Sequence, residues 1–206
     1  MILRNATHND FPDILKLNAE FVHFLSPMTE TRLEMLHRQA IYLRVFSEAD
    51  QVIAFLIAFR EGAEYDSPNY RWFSERYDRF IYIDRLVIDG MHHHRGIGTQ
   101  LYQDLFAFAA ENRIANVFAE VDSSPPNPVS DRFHAKQGFQ EVGSQFLNTT
   151  NKQVSMQMRL VDGLPNLSKQ SLNQVGAVGD PDESFLPTAV REIELVRIKP
   201  KAVQNR

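Results

Sequence analysis

Ile83-Asp84-Arg85-Leu86-Val87-Ile88-Asp89-Gly90-Met91-His92-His93-His94-Arg95-Gly96-Ile97-Gly98-Thr99-Gln100-Leu101 passes from a β-branched run through a turn and a spaced pair of glycines into an apolar-periodic segment. Strand, turn, glycines and helix follow one another without a spacer. Free N–H groups at the start of such a helix, aligned with its dipole, form an anion site. Glycine at 96 and 98 removes side chains where a diphosphate would approach the backbone, and Arg95 adds a fixed positive charge. A P-loop would need Gly-Lys-Ser/Thr, which the sequence lacks, and a dinucleotide fingerprint would need glycine where Leu101 stands. The segment therefore reads as a phosphate cradle of another kind.

On either side, the hydrophobic period alternates between helix and strand. Ile2–Ala6 reads as a first strand. Asn9 or Asp10 can cap a helix that carries Pro12 in its first turn and Ile14, Leu17, Phe21 and Leu25 on one face. A second helix runs from Thr29 or Thr31 to about Gln39. Ile41–Phe46 and Val52–Ala58 form a hairpin about Glu48-Ala49-Asp50-Gln51. Glu61–Arg79 is a polar, aromatic stretch; Phe80–Ile88 is a strand; Gly96–Asn112 is an amphipathic helix. A strand at Val117–Val121, a helix at Val129–Lys136 and strands at Phe139–Val142 and Val154–Leu160 complete the order β-α-α-β-β-β-α-β-α-β-β. That order predicts an α/β protein, a mixed sheet with helices on both faces.

The 206 residues suit one domain with an appendage, here 1–160 followed by a Gly- and Pro-interrupted extension, 161–206, with one further strand at 189–198. A net charge of −4 does not favour nucleic acid, and no apolar run approaches the roughly 20 residues of a membrane span. The N-terminus lacks a secretory signal's architecture. With no cysteine there is no disulfide, no thiolate metal site and no cysteine nucleophile, and a cytoplasmic setting is expected. His92, His93 and His94 are adjacent, so in a turn they point different ways, and no metal is expected there.

Two half-motifs in the right order resemble the GNAT superfamily of N-acetyltransferases. Its cofactor motif, Gln/Arg-x-x-Gly-x-Gly/Ala, is matched by His93-His94-Arg95-Gly96-Ile97-Gly98, with His93 in place of Gln or Arg. Its second half is matched by Asn127, Phe133-His134 and Gly138-Phe139, with His134 in place of the usual tyrosine. The likeness covers residues 1 to about 160. It implies the acyl-CoA N-acyltransferase fold, with a central sheet splayed between its fourth and fifth strands, and acetyl-CoA as cosubstrate without a metal. Pantetheine would then lie against the strand of Leu86, Val87 and Ile88, with Leu86 and Ile88 as backbone partners. The pyrophosphate would rest on the amides of His94, Arg95, Gly96, Ile97, Gly98 and Thr99, with His93 and Asn127 flanking it. The Ile88 amide would face the thioester oxygen.

Acetyl transfer to an amine needs a base for the ammonium proton and a proton for the departing thiolate. His134 takes the tyrosine's place as acid, because imidazolium is the better proton donor. Asp84, two and four residues before Leu86 and Ile88, shares their parity along the strand and is the expected base. Glu120 on the neighbouring strand, Tyr82 and Phe24 are expected on the acceptor side, as are the carboxylates and aromatics of 61–79. The expected activity is direct transfer, in a ternary complex, to a primary amine of a small metabolite or amino-acid-like acceptor. A protein N-terminus or lysine, and a CoA-binding module with little catalysis, are the alternatives. A homodimer could form by strand addition through 189–198.

Overall fold

The computed structural model describes residues 1–22 and 25–164. The strand expected at 189–198, and Phe24, lie outside these residues. Within them the elements are β1 (Ile2–Asn5), α1 (Phe11–Glu20), α2 (Glu30–Gln39), β2 (Tyr42–Glu48), β3 (Gln51–Arg60), α3 (Pro68–Ser74), β4 (Phe80–Ile88), α4 (Ile97–Glu111), β5 (Asn116–Ser124), α5 (Pro128–Lys136), β6 (Gln140–Leu147) and β7 (Lys152–Leu160). The strands form one mixed sheet in the order β1-β2-β3-β4-β5-β7-β6.

Local chemistry accounts for several of these boundaries. The hairpin between β2 and β3 turns on Ala49 and Asp50, both at positive φ, the conformation of a two-residue turn matched to strand twist. Asp10 ends β1's excursion into α1. Its carboxylate accepts from the Thr7 N–H and hydroxyl and receives Arg4 bidentately at 2.7 Å, which together hold its pKa down at about 2. The Asp13 carboxylate accepts from Val52 N–H at 3.0 Å and ties α1 to the hairpin.

Apolar side chains divide between the two faces of the sheet. On one face, Ile14 and Leu17 of α1, Leu33 and Leu36 of α2 and Tyr70 and Phe73 of α3 pack on Phe55, Ile57, Phe59, Phe80, Tyr82 and Phe118. On the other, Ile97, Leu101, Tyr102 and Leu105 of α4, with Phe133 of α5, pack on Ala54, Leu56, Ile81, Ile83, Val117 and Ala119.

Two features depart from the sequence expectation. The first is α3. Ser67 caps it and Pro68 opens it, but it has only seven residues, rich in aromatics that favour no helix. Burial of Tyr70 and Phe73, one turn apart, and stacking of Phe73 on Phe118 at 4.2 Å hold it in place. The second is a bulge in β4. Ile57 faces Arg85 while Ala58 faces Ile83, so Asp84 is an extra residue and the in–out alternation reverses there. Phe80, Tyr82 and Val87 accordingly lie on the α1–α3 face, and Ile81, Ile83, Leu86 and Ile88 on the α4 face.

α3 is keyed to β6 by a contact that only glycine permits. A Cβ on Gly143 would stand 2.7 Å from the Trp72 ring, which also carries the Arg76 guanidinium 4.0 Å from its centroid. Gly143→Ala is expected to destabilise the fold by about 1–3 kcal/mol, the usual cost of overpacking. Urea unfolding checks this; an unshifted midpoint would show that the indole moves aside freely.

Candidate active site

β4 and β5 run parallel but pair only over Phe80–Tyr82 and Asn116–Phe118. Beyond Tyr82 they part, which is the splay expected between the fourth and fifth strands. The outer half of β4 keeps β3 on one side only. Asp89 N–H donates to Ile53 C=O at 2.8 Å, and backbone groups alternate along a strand. Leu86 and Ile88 therefore turn their N–H and C=O groups toward the gap. Val87 does not: its backbone faces β3 and its side chain is buried on the α1–α3 face. Of the cosubstrate residues expected on this strand, Val87 is thus a core residue.

At the far end of the gap lies the glycine turn. His94 and Gly96 both adopt positive φ, at 61° and 77°, and Gly96 is the N-cap of α4 with no side chain capping the helix. The first four N–H groups of a helix have no partner inside it. The amides about Gly96, Ile97, Gly98 and Thr99 thus converge at the positive end of a 15-residue helix, bent by left-handed residues into an anion-binding concavity. Gly98 is needed for close approach: a Cβ there would stand 3.2 Å from both Ile88 and Phe133. Arg95 is exposed and 3.7 Å from Glu48. The residues present fit a diphosphate-bearing cosubstrate.

His93 closes part of this cleft. Its Nε2 lies 2.9 Å from the Ile88 carbonyl, and with that carbonyl as acceptor the nitrogen is the donor. Asn127 caps α5, its Oδ1 accepting from Ser130 N–H at 3.1 Å. Thr99 Oγ1 accepts from the Gln137 amide at 3.2 Å, which links α4 to α5.

His134 is buried at 7% exposure, ringed by Tyr102, Phe133 and Phe139. Its Nδ1 is 2.9 Å from the Ser130 carbonyl and its Nε2 is 2.9 Å from the Tyr102 hydroxyl. With the carbonyl as acceptor Nδ1 is the donor there, and Nε2 shares a hydrogen bond with the phenol. Burial pushes the imidazole pKa down. Both ring nitrogens of His134 are thus engaged, and Tyr102, which the sequence reading did not single out, is one of the partners.

The bulge decides the fate of Asp84. It sits on the α1–α3 face, opposite to Leu86 and Ile88, so the expected shared parity does not hold. Asp84 and Arg85 emerge side by side on that face and pair at 2.5 Å, while Tyr65 donates its hydroxyl to the other carboxylate oxygen. Arg85 also donates to Asn18 Oδ1 at 2.7 Å. Glu120 shares this face across the gap. Its Oε2 is sealed from solvent with no hydrogen-bond partner among the described residues. Burial, reinforced by the Asp84 charge and opposed by Tyr82 and Asn69, pushes Glu120 up to about 7. Tyr82 itself is 1% exposed and packed against Tyr70 and Phe73. It faces Glu120 from within the core and is closed to an acceptor.

Of the carboxylates expected to draw an amine cation, Glu61 meets Arg60, Asp66 meets Arg32 and Glu75 meets Arg76. Beside them a cavity of about 480 Å³ is lined by Gly62–Asp66, Tyr70, Arg71 and Ser74.

An open strand edge that leads to an uncapped, glycine-lined helix start has the shape and the free amides to suit a cosubstrate with a diphosphate and an amide-bearing arm. Residues 9–139 match the acetyltransferase (GNAT) family, and the chain belongs to it. Solved structures agree in fold. Arabidopsis thaliana NAA60 in complex with a bisubstrate analogue is similar at 17% identity, over 79% of this chain and 98% of that one, with a TM-score of 0.62. The Escherichia coli ribosomal-protein-S18-alanine N-acetyltransferase is similar at 13% identity, over 80% and 99%, TM-score 0.58. A putative phosphinothricin N-acetyltransferase is similar at 21%, over 80% and 99%, TM-score 0.58. No curated protein matches the chain by sequence.

Gly96→Val would force a β-branched residue to φ 77° at the centre of the amide concavity. Calorimetry should show acetyl-CoA affinity reduced at least about tenfold, equivalent to the roughly 1–2 kcal/mol of a left-handed residue. Equal affinity would remove this turn from cosubstrate binding.

Proposed function

We propose that this chain transfers the acetyl group of acetyl-CoA to a primary amine of a small metabolite or amino-acid-like acceptor, directly within a ternary complex, with Glu120 as the base. One observation supports the reading: at the parting of β4 and β5 stands Glu120, a part-buried carboxylate with one oxygen that lacks a hydrogen-bond partner among the described residues, and burial pushes its pKa up to about 7. Asp84, the base expected from sequence, has both oxygens engaged by Arg85 and Tyr65. It raises Glu120's pKa by its charge and leaves the proton transfer to it.

In the step itself, the amine nitrogen forms a bond to the acetyl carbon as the carbon–sulfur bond breaks. Glu120 takes the ammonium proton, directly or through water, and the departing thiolate takes one from solvent. A coenzyme thiol resembles cysteine, with a pKa near 8.5, so this departure needs little help. The Ile88 N–H, fixed toward the gap, stabilises charge on the thioester oxygen. His134 braces α5 against Tyr102 rather than donating a proton.

Glu120 works as a base only when ionised, so kcat/KM should be full above about pH 7 and fall as pH drops through that value. Glu120→Gln should lower the rate roughly 10²–10⁴-fold and erase this limb of the profile. A wild-type limb that survives in the variant would assign the proton to another group.

The open form of the cavity beside Tyr65 favours one second reading, a protein amine as acceptor. The two are separated by following thiol release with a panel of small amines, amino acids and peptides differing at their N-terminal residue. Turnover of small amines at least tenfold above that of the peptides is expected. Turnover confined to peptides would favour the second reading, and none with any amine would leave a coenzyme-binding module.

A further inference from the structure

We propose that His8, Glu34 and His37 bind a divalent transition metal, with Zn²⁺ as the ion that fits best. The trio lies where the turn between β1 and α1 meets α2, outside the acetyl-transfer cleft. Each residue offers one ligand atom, and the three atoms lie within 4.8 Å of one another. His8 Nε2 and Glu34 Oε2 are already 3.1 Å apart. Zinc bonds of about 2.0–2.2 Å set tetrahedral ligand atoms roughly 3.3 Å from each other, so the His8–Glu34 pair is already near that spacing and no pair among the three lies beyond 4.8 Å.

The surroundings are those of a built site. Glu34 and His37 stand one turn apart on α2, a helix held at its start by the Thr29 hydroxyl on Arg32 N–H. His8 rides on the turn that Arg4, Thr7 and Asp10 lock together. Buried Phe11 forms a common floor, with its ring 4.9 Å from His8 and 5.5 Å from His37, and the two imidazoles meet edge-on at 5.1 Å. Two neutral imidazoles and one carboxylate are a ligand set that zinc takes readily, with water completing the coordination. The ion would clasp α2 to the β1–α1 turn. α2 also carries Arg32, which bonds Asp66 and lies 5.4 Å from the Tyr65 ring centroid, so the clasp would steady the helix that backs the acceptor side.

Titration of ZnCl2 into the full chain, freed of any polyhistidine tag, should show one site of micromolar or tighter affinity and a raised melting temperature. His8→Ala and His37→Ala should each weaken that site at least tenfold and abolish the thermal shift. Replacing His92, His93 and His94 together by Asn should leave it in place. Absence of a stoichiometric site, or a site that survives His37→Ala and vanishes with the 92–94 replacement, would overturn the proposal.

Discussion

The molecule is organised around a sheet that comes apart in its own middle. β4 and β5 share three residue pairs, then diverge, leaving main-chain donors and acceptors without partners where a sheet normally has none to spare. Such an edge is a liability unless something pairs with it. Here α4 and α5 shield it on one side and α3 on the other, and the His93 ring meets the Ile88 carbonyl. The same exposed groups make the gap a seat for an amide-bearing chain such as pantetheine. The need to satisfy an edge and the capacity to bind a cosubstrate are one property of the backbone.

The two faces of this gap carry different chemistry. The α4 side has an apolar floor of Ile88 and Phe133 and ends in the amide concavity at Gly96 and Gly98. The α3 side is a buried polar cluster in which Asp84, Arg85, Tyr65 and Asn18 satisfy one another. Glu120 is the member left over. The sealed oxygen of this part-buried carboxylate and the charge of Asp84 beside it disfavour ionisation, against the pull of Tyr82 and Asn69, and so push its pKa up.

What could be read from the chain divides along the reach of the interactions. The strands, the long helix and the cradle were legible because period, capping residues and spaced glycines are local signals. α3 was missed because its stability comes from Tyr70 and Phe73 against the sheet, although Ser67-Pro68 marked its start. The bulge at Asp84 is a property of two paired strands, so parity counted along β4 alone put its carboxylate on the wrong face. Likewise His134 meets Tyr102 through packing of two helices, and Glu120's shift needs the burial that only the assembled fold supplies. The meeting of His8 with Glu34 and His37 went unread for the same reason, since it joins a turn after β1 to α2 through the fold.

The inserted residue in β4 also shapes how this protein can change. Loss of Asp84 would restore even pleating and leave Ile83, Leu86, Val87 and Ile88 on the faces they now hold, but would remove the carboxylate that meets Arg85 and Tyr65. The inserted residue thus adds a charged group to the α1–α3 face without disturbing the placement of its neighbours.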